Sequence, residues 1–199
     1  MKKTPSLFKR DYEGDRNVYD EVVEGSEWVL RGEGTPTVKW DGTCCLIRLG
    51  ELYRRHDRKR QKESGRFRKA PDGWEPCEER PDKNTGHWPG WLPVHESDPT
   101  AKWHLKAWSE VDYRIYDGTY ELIGPKIQGN PYRIERQVFV KHGAHIIDAD
   151  LRSYDEVFEY LKYAEIEGIV WHHDDGRLVK IKRKDFGLKW PSDNPMIPV

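Results

Sequence analysis

Residues 36–55 read PTVKWDGTCCLIRLGELYRR, and their apolar and β-branched residues are typical of strands. This stretch predicts one strand over 36–40, followed by a β-hairpin over 43–55 that turns near Gly50 and Glu51. The two strands of a hairpin pair antiparallel, so the stretch points to an antiparallel sheet.

The first of these strands runs into Lys39-Trp40-Asp41-Gly42-Thr43, where a lysine, a carboxylate and a glycine follow one another closely. Alternate residues of a strand point to the same face, so Lys39 and Asp41 would lie side by side while Trp40 points away. A lysine in this position could hold a nucleophilic amine near a bound phosphate. A plain exposed strand end has the same pattern, so the motif alone leaves both interpretations open.

Two later segments carry charged residues in a similar arrangement. The stretch EGIV at 167–170 places an acid at the start of a strand, and the following strand carries Lys180 and Lys182 on one face. Two like charges side by side repel, so an anionic group should lie opposite them. An edge strand protected by lysines is the alternative interpretation. The stretch YELIG at 120–124 adds a carboxylate near a glycine that permits close approach of a ligand.

Two helices accompany the predicted strands. Asp98 with Pro99 predicts a helix that continues to about Glu110, and Ser153 opens a capping-box pattern for a second helix that ends near Ala164. The remaining predicted strands lie at 27–31, 118–127, 137–142, 167–172 and 178–184. Strands dominate and two helices pack on them, which predicts an α+β fold.

The composition indicates a polar but folded chain. The 199 residues include 35% charged and 36% hydrophobic residues, with 9 Trp, 10 Tyr and 5 Phe to build a core. No apolar run is long enough for a membrane span, and no apolar stretch follows the basic start of the chain. Three cysteines do not make a disulfide framework. We expect a reduced, cytoplasmic (intracellular) protein without a membrane partner.

The net charge of −1 conceals two basic segments. Residues 52–69 carry +7 and residues 177–190 carry +5, so the rest of the chain carries −13. This distribution indicates a local site for a polyanion, although solvated basic faces are the ordinary alternative. Residues 70–98, rich in Pro, Gly and Trp, predict a long irregular loop. Its tryptophans would either stack on single-stranded bases or anchor the loop; they are Trp74, Trp88 and Trp91.

The order of the motifs carries a resemblance that the single motifs do not. Lys-x-Asp-Gly at 39–42, Tyr-Glu-x-x-Gly at 120–124, Glu-Gly-Ile-Val at 167–170 and Lys-x-Lys at 180–182 resemble motifs I, III, IV and V of the covalent nucleotidyltransferase superfamily. That superfamily contains ATP-dependent DNA ligases, RNA ligases and mRNA capping enzymes. The resemblance spans about three quarters of the chain.

The resemblance implies a fold and an extent. It implies the nucleotidyltransferase (adenylation-domain) fold, with ATP-grasp-like antiparallel sheets flanked by helices, in a single domain over residues 1–199. Only 17 residues follow Lys182, so we expect no C-terminal OB domain of the kind that DNA ligases and capping enzymes carry.

The resemblance also implies a role for each matched acid and for the nucleophile. Lys39 matches the lysine that attacks the α-phosphorus of ATP and becomes adenylated. Asp41 matches the motif I acid near the ribose and the metal-bound water. Glu121 matches the motif III acid, and Glu167 the motif IV acid that helps to hold a divalent metal. The expected ligands of Mg²⁺ or Mn²⁺ are Glu167, Asp41 and Glu121.

Further positions are expected to contact the nucleotide. Lys180 and Lys182 match the motif V lysines that contact the phosphates. Arg54 or Arg55 falls at motif Ia, a ribose or phosphate contact, and the double arginine leaves that choice open. Phe139 lies where motif IIIa would place the adenine-stacking aromatic. Together, the expected ATP-binding residues are Lys39, Gly42, Arg54, Arg55, Glu121, Phe139, Lys180 and Lys182.

The residues after the nucleophile favour one branch of the superfamily. DNA ligases and capping enzymes usually carry Arg two positions after the motif I glycine, and here that position is Cys44. Thr43 is closer to RNA ligases, and the run Asp-Gly-Thr-Cys-Cys at 41–45 resembles a stand-alone 5′-to-3′ RNA ligase family.

The resulting expectation is an ATP-dependent RNA ligase that joins RNA 5′-phosphate and 3′-hydroxyl ends through a lysyl-adenylate and an adenylated RNA. ATP, Mg²⁺ or Mn²⁺ and RNA ends are the expected ligands, and no obligate protein partner is inferred. The alternatives are a minimal DNA ligase and a nucleic-acid-binding relative that has lost catalysis. All six matched catalytic positions keep the expected residue types, which argues against the second alternative.

Overall fold

The computed structural model describes residues 2–83 and 85–196. Within those ranges it contains eleven strands, two α-helices and two short 3-10 helices. The strands are β1 (Phe8–Arg10), β2 (Val18–Val22), β3 (Thr35–Lys39), β4 (Thr43–Arg48), β5 (Glu51–Arg58), β6 (Glu75–Pro76), β7 (Trp88–Pro93), β8 (Gly118–Ile123), β9 (Val138–Lys141), β10 (Gly168–His172) and β11 (Leu178–Lys182). The helices are α1 (Lys102–Ser109) and α2 (Tyr154–Tyr163), and the 3-10 helices are Pro99–Ala101 and Arg183–Phe186.

The chain divides into two compact units, and each carries its own sheet. The first, here the three-stranded unit, comprises residues 4–41 and the described residues from 142 onward. The second, here the six-stranded unit, comprises residues 42–141 with the described residues before residue 4. Every strand pair within these sheets is antiparallel, which confirms the predicted α+β class.

The three-stranded unit is built on the order β11-β10-β3. Ile169 of β10 pairs with Val38 on one side and Ile181 on the other, and all three side chains are buried on one face of the sheet. A separate two-stranded sheet pairs β1 with β2. Phe8 of β1 meets Tyr154 of α2 edge-on, with 5.2 Å between the ring centres. Burial of the apolar face leaves the opposite face of β3, β10 and β11 for polar groups.

The six-stranded unit has the order β6-β7-β5-β4-β8-β9. Its core face carries alternate residues such as Cys45, Ile47 and Leu122, which pack with Ala107 of α1. The 3-10 helix before α1 is capped by Asp98, whose side chain accepts a hydrogen bond from the Thr100 backbone N–H. The helix start that the sequence predicts at this residue is therefore confirmed.

Several local predictions hold in detail. The hairpin of β4 and β5 turns after Arg48, and the hairpin of β10 and β11 turns through 173–177. Ser153 caps α2, and its hydroxyl accepts from the backbone N–H of Glu156. These elements depend on short-range signals, which explains why the sequence alone is enough to find them.

The strand predicted over 27–31 is wrong, because these residues form turns. Trp28 and Val29 are adjacent and both only 1% exposed, whereas a half-buried strand buries every second residue. Gly32 and Gly34 follow with positive φ angles of 76° and 75°, which turn the chain into β3.

The long irregular loop predicted over 70–98 is only partly correct, because the region contains β6 and β7. β7 pairs with β5 along six residues. Pro89 and Pro93 of β7 favour the prediction of a loop, since proline cannot donate a backbone hydrogen bond. β6 pairs with β7 only at Gly90 and Trp91, between the two prolines. Sequence reasoning predicted neither β1 nor β2.

Candidate active site

The polar face of the three-stranded sheet brings together two of the predicted lysines. Gly168 of β10 pairs with Lys39 of β3 on one side and with Lys182 of β11 on the other. Directly paired residues point to the same face, so the two lysines flank a position that has no side chain. A Cβ atom at Gly168 would lie 2.2 Å from the carbonyl oxygen of Ile181. Glycine is therefore needed at this position.

One carboxylate joins the two lysines. Glu167 precedes β10 and is only 5% exposed. Its Oε2 lies 2.5 Å from Lys39 Nζ, and its Oε1 lies 3.0 Å from Lys182 Nζ. A buried carboxylate needs partners for its charge, and here each oxygen has its own ammonium group. The carboxylate that the motif resemblance selects is therefore the centre of a charge-paired cluster.

Lys180 lies two residues before Lys182 on the same face of β11. Burial lowers the pKa of Lys180 to about 8, and the charges of Lys39 and Lys182 act in the same direction. The backbone around Lys180 is held by the N-terminal segment, since its N–H donates to the Pro5 carbonyl and its carbonyl accepts from Leu7 N–H. Three amines thus converge where the sequence predicted a site for an anion.

Lys182 itself is fixed from the backbone side. Its N–H donates to the Asp185 carboxylate at 2.9 Å, and Asp185 also forms an ion pair with Arg10 of β1. Burial disfavours the ammonium, but the charge and hydrogen bond of Glu167 outweigh this effect and raise the pKa of Lys182. The surroundings of Lys182 therefore favour its charged form more strongly than those of Lys180 do.

Asp41 follows β3 and is half-buried. Its Oδ2 accepts a hydrogen bond of 2.8 Å from the indole N–H of Trp190, which is 6% exposed. Burial raises the pKa of the Asp41 carboxyl, and the negative charge of Glu167 raises it further. Sequence reasoning missed Trp190, since no local pattern links two residues that are 149 positions apart.

The donor set suits a divalent cation. Asp41 and Glu167 offer carboxylate oxygens, which are the ligands that Mg²⁺ and Mn²⁺ prefer. Burial first, and then the negative charge of Glu167, raise the pKa of the Asp41 carboxyl, and a bound cation would favour its charged form. The two acids therefore fit the metal that the resemblance implies.

The other predicted residues lie in the six-stranded unit. Gly42 donates its backbone N–H to Glu121 Oε1 at 3.1 Å, and a Cβ atom on Gly42 would lie 2.2 Å from the Leu122 carbonyl oxygen. Glu121 pairs with Cys44 in the sheet. Burial, with Glu121 alongside, raises the pKa of the Cys44 thiol to about 12. This cysteine is therefore not a reactive thiolate.

The sheet register separates the two candidate arginines. Arg54 pairs with Cys45 on the core face, and its Nη2 lies 2.7 Å from Asp98 Oδ2. Arg55 is the next residue and so points to the opposite face, the face of Glu121. Its Nε lies 2.6 Å from Asp57 Oδ1. The register therefore favours Arg55 over Arg54 as the motif Ia residue.

Phe139 has a different environment from the one expected. It pairs with Leu122 on the core face, is 5% exposed and meets Trp108 edge-on at 6.0 Å. Glu121 pairs instead with Val140 and so lies on the other face. This placement does not support the expected stacking of adenine on Phe139.

Two of the loop tryptophans act as anchors. The indole N–H of Trp74 donates to the His56 carbonyl at 3.0 Å, and that of Trp88 donates to the Glu78 carbonyl at 2.8 Å. Trp91 is 7% exposed within β7. The anchoring interpretation therefore describes these side chains better than base stacking does.

Comparisons with known proteins agree with the motif order. A family model described as RNA ligase 1 matches residues 114–198. RNA ligase 1 of Pongo abelii is 31% identical, in an alignment that covers 78% of this chain and 68% of the relative. RNA ligase 1 of Danio rerio and of Rattus norvegicus are each 30% identical, with the same shares covered. Among the helices in the described ranges, none has the length and apolar character needed to cross a membrane.

Proposed function

Because the chain belongs to the RNA ligase 1 family, we propose that it is an ATP-dependent RNA ligase that uses Lys39 as its nucleophile. One observation carries the assignment to this lysine. Lys39 and Lys182, 143 positions apart, share the buried carboxylate of Glu167 on one face of the three-stranded sheet. The specific fold proposed with this function is that of a nucleotidyltransferase adenylation domain.

The first step is transfer of AMP to the protein. The neutral amine of Lys39 attacks the α-phosphorus of ATP, a P–N bond forms, and the bond to the bridging oxygen breaks to release pyrophosphate. The amine must lose its proton before it attacks. In the resting structure its Nζ is paired with Glu167, so this pairing has to loosen, and Glu167 is the nearest group that can take up the proton.

The next two steps use RNA. An oxygen of the RNA 5′-phosphate attacks the adenylate phosphorus, the P–N bond breaks, and AMP passes to the RNA as a 5′–5′ pyrophosphate. An RNA 3′-hydroxyl then attacks the 5′-phosphate, forms the phosphodiester and releases AMP. Lys39 is regenerated in the second step, so each sealing event consumes one ATP.

The neighbouring lysines stabilise the charge that develops on phosphate. Lys182 stays cationic beside Glu167, and Lys180 lies on the same face. Cations fixed in a partly buried site act more strongly on a phosphate than the same cations in water, and they need no reorganisation during the reaction. Their role is to hold the triphosphate and neutralise the leaving pyrophosphate.

A divalent metal completes this proposal. Asp41 and Glu167 would hold Mg²⁺ or Mn²⁺ in the three-stranded unit, and Glu121 is the third acid that the resemblance selects. When bound, the cation supplies charge neutralisation at the phosphate groups. The resemblance also selects Gly42, whose backbone N–H donates to Glu121, and Arg55 as nucleotide contacts.

The intact mass of the protein tests the first step directly. The protein is first treated with pyrophosphate to remove any AMP acquired during expression, and is then incubated with ATP and Mg²⁺. Wild type should gain one AMP, about 329 Da, as expected for a covalent nucleophile. Lys39→Ala should gain nothing. Lys184→Ala, which removes an exposed lysine from the same unit, should gain AMP like wild type.

A folded wild-type protein that forms no adduct would overturn the proposed chemistry and favour a nucleic-acid-binding relative. If the adduct forms, sealing of nicked RNA and nicked DNA duplexes under the same conditions separates an RNA ligase from a minimal DNA ligase. Sealing of DNA alone would contradict the RNA assignment.

A further inference from the structure

A cationic surface of the six-stranded unit lies outside the residues assigned so far. It is an open groove lined by residues 56–63 together with Arg68, Lys69 and Pro71. We call residues 59–71 the basic loop, because the chain leaves β5 at Arg58 and folds back on itself there. All lining residues except Pro71 belong to the segment 52–69, which carries +7 in the sequence.

An arginine packed among aromatic rings holds the start of this loop. The Arg58 guanidinium carbon lies 4.7 Å from the ring centre of Trp74, 5.2 Å from that of Trp88 and 5.3 Å from that of Phe67. Its Nη2 also donates to the Arg68 carbonyl at 2.6 Å. Such contacts stabilise a cation through the ring faces. Arg58 is therefore a structural residue that ties both ends of the loop together.

The turn of the loop is closed by its own backbone. Arg60 forms a bridge with Phe67, stacks on its ring at 4.8 Å and donates to the Gly65 carbonyl at 2.8 Å. The N–H of Gln61 donates to the Arg66 carbonyl at 2.8 Å. The loop is thus a small folded hairpin, and its cations are presented from a defined surface.

Three basic residues on this surface do not pack on aromatic rings as Arg58 and Arg60 do. Lys59, Lys62 and Arg68 are exposed, and no carboxylate in residues 2–83 or 85–196 lies within ion-pair distance of them. Of the two acids that line the groove, Asp57 is already paired with Arg55 at 2.6 Å. The lining holds six basic residues against these two acids, and this excess of positive charge attracts a polyanion.

We propose that the basic loop binds the phosphate backbone of the RNA substrate, with Lys59, Lys62 and Arg68 as the contacting residues. This rests on the proposed function, since a ligase for RNA must hold a strand as well as its reacting end. The contacts are to phosphates rather than to bases, because the indoles of Trp74 and Trp88 are packed on Arg58 and tied to the backbone. Binding should therefore be independent of base sequence and sensitive to salt.

The test compares two triple variants with equal charge change. One is Lys59→Gln, Lys62→Gln and Arg68→Gln. The matched control changes two lysines and one arginine elsewhere in the same unit, all of them exposed: Lys106→Gln, Lys126→Gln and Arg133→Gln. Affinity for a 5′-phosphorylated single-stranded RNA is measured by fluorescence anisotropy from low to moderate salt, with two RNAs of unrelated sequence.

The basic-loop variant should bind both RNAs at least tenfold more weakly at low salt. Its dependence of log affinity on log salt should be shallower by up to about 2, since each single-strand phosphate contact contributes about 0.7. AMP transfer from ATP, followed by intact mass, should equal that of wild type. Affinity and salt dependence equal to those of the control variant would overturn the proposal, and a loss confined to one RNA would overturn the backbone assignment.

The two proposals fail separately in this design. If wild type acquires no AMP and the basic-loop variant binds RNA more weakly than wild type, the ligase chemistry is contradicted and the RNA-binding surface is supported. If wild type acquires AMP and the basic-loop variant keeps full RNA affinity, the ligase chemistry is supported and the RNA-binding surface is contradicted. Circular dichroism of both triple variants excludes unfolding as the cause of either result.

Discussion

The cations of the three-stranded sheet and those of the basic loop are the same residue types in opposite environments. Lys39 and Lys182 share a carboxylate that is 5% exposed. Lys59 and Lys62 lie on an exposed hairpin without a paired acid among the described residues. Position in the fold, and not the number of basic residues, therefore distinguishes the lysine proposed as nucleophile from the lysines proposed to bind RNA.

The physical basis of the contrast is solvent screening. Interactions between charges at the surface are weakened by water and by salt over about 10 Å at 0.1 M ionic strength, whereas buried charges are screened much less. The proposed chemistry at Lys39 should therefore depend little on salt, whereas the proposed RNA affinity of the basic loop should vary with it. Each prediction below changes one side of this comparison.

The largest effect should come from Glu167→Gln. The amide keeps the shape of the side chain but removes the charge that both lysines share, and two ammonium groups then face each other without compensation. We expect AMP transfer to fall on the order of 10²-fold or more, which is the scale of losing a preorganised electrostatic contact. The free energy of unfolding should fall by up to about 3 kcal/mol. Intact mass over time and urea unfolding give the two quantities.

An exposed pair provides the control. Glu159 lies 3.1 Å from Lys162, and both side chains are about half exposed. Glu159→Gln should change neither AMP transfer nor stability by a measurable amount, because exposed ion pairs contribute little to stability. If the two glutamine variants behaved alike, burial would not be the property that distinguishes the site.

Sequence reasoning succeeded where the signal is short-range. The β4–β5 and β10–β11 hairpins and the caps at Asp98 and Ser153 each depend on a few neighbouring residues. The same reasoning failed for β7, where two prolines hide a strand that is stabilised by its partner β5. It also failed for 27–31, where tertiary packing buries two adjacent residues.

Within the candidate site, too, sequence reasoning succeeded with the motifs and failed where the tertiary structure decides. The order of motifs was sufficient to select Lys39 and Glu167, which the structure places 2.5 Å apart. Favouring Arg55 over Arg54 needed the sheet register, because two adjacent arginines look alike in the sequence and only the register shows which face each one occupies. The contact of Trp190 with Asp41 could be found only in the folded structure, since no local sequence pattern near either residue predicts it.

The next largest effect should come from Trp190→Phe. Phenylalanine keeps most of the buried ring but removes the N–H that donates to Asp41 Oδ2. Without that donor the half-buried Asp41 carboxylate is less well held, and its charged form is less favourable. We expect AMP transfer to slow by about tenfold, the scale of one lost hydrogen bond to a charged group. A higher requirement for Mg²⁺ should accompany it, measured by metal titration of the adenylation rate.

Trp28→Phe is the matched change. Trp28 is 1% exposed in the same three-stranded unit, but its indole N–H has no hydrogen-bond partner among the described residues. It should lose stability through the smaller ring and keep its Mg²⁺ requirement. A Trp28 variant that shifted the metal requirement as much as the Trp190 variant would show that general loosening of the unit, and not the bond to Asp41, causes the effect.

The smallest effect concerns the other unit, where a buried histidine has no charge partner of the kind that Glu167 provides. His104 of α1 is 8% exposed, and neither ring nitrogen has a hydrogen-bond partner among the described residues. Burial, reinforced by the charge of Arg54, lowers the pKa of His104 to about 4. In the unfolded chain a histidine titrates near 6.5. The unfolded state therefore binds the proton more readily between these values, and stability should fall as the pH decreases from 6.5 to 4 by up to about 3 kcal/mol.

His104→Leu should flatten this part of the pH profile in urea unfolding, while the exposed His95→Gln should leave it unchanged. An unaltered profile in His104→Leu would mean that the histidine gains a proton without cost, and the six-stranded unit would then tolerate a buried unpaired charge as well as the three-stranded unit tolerates its paired ones.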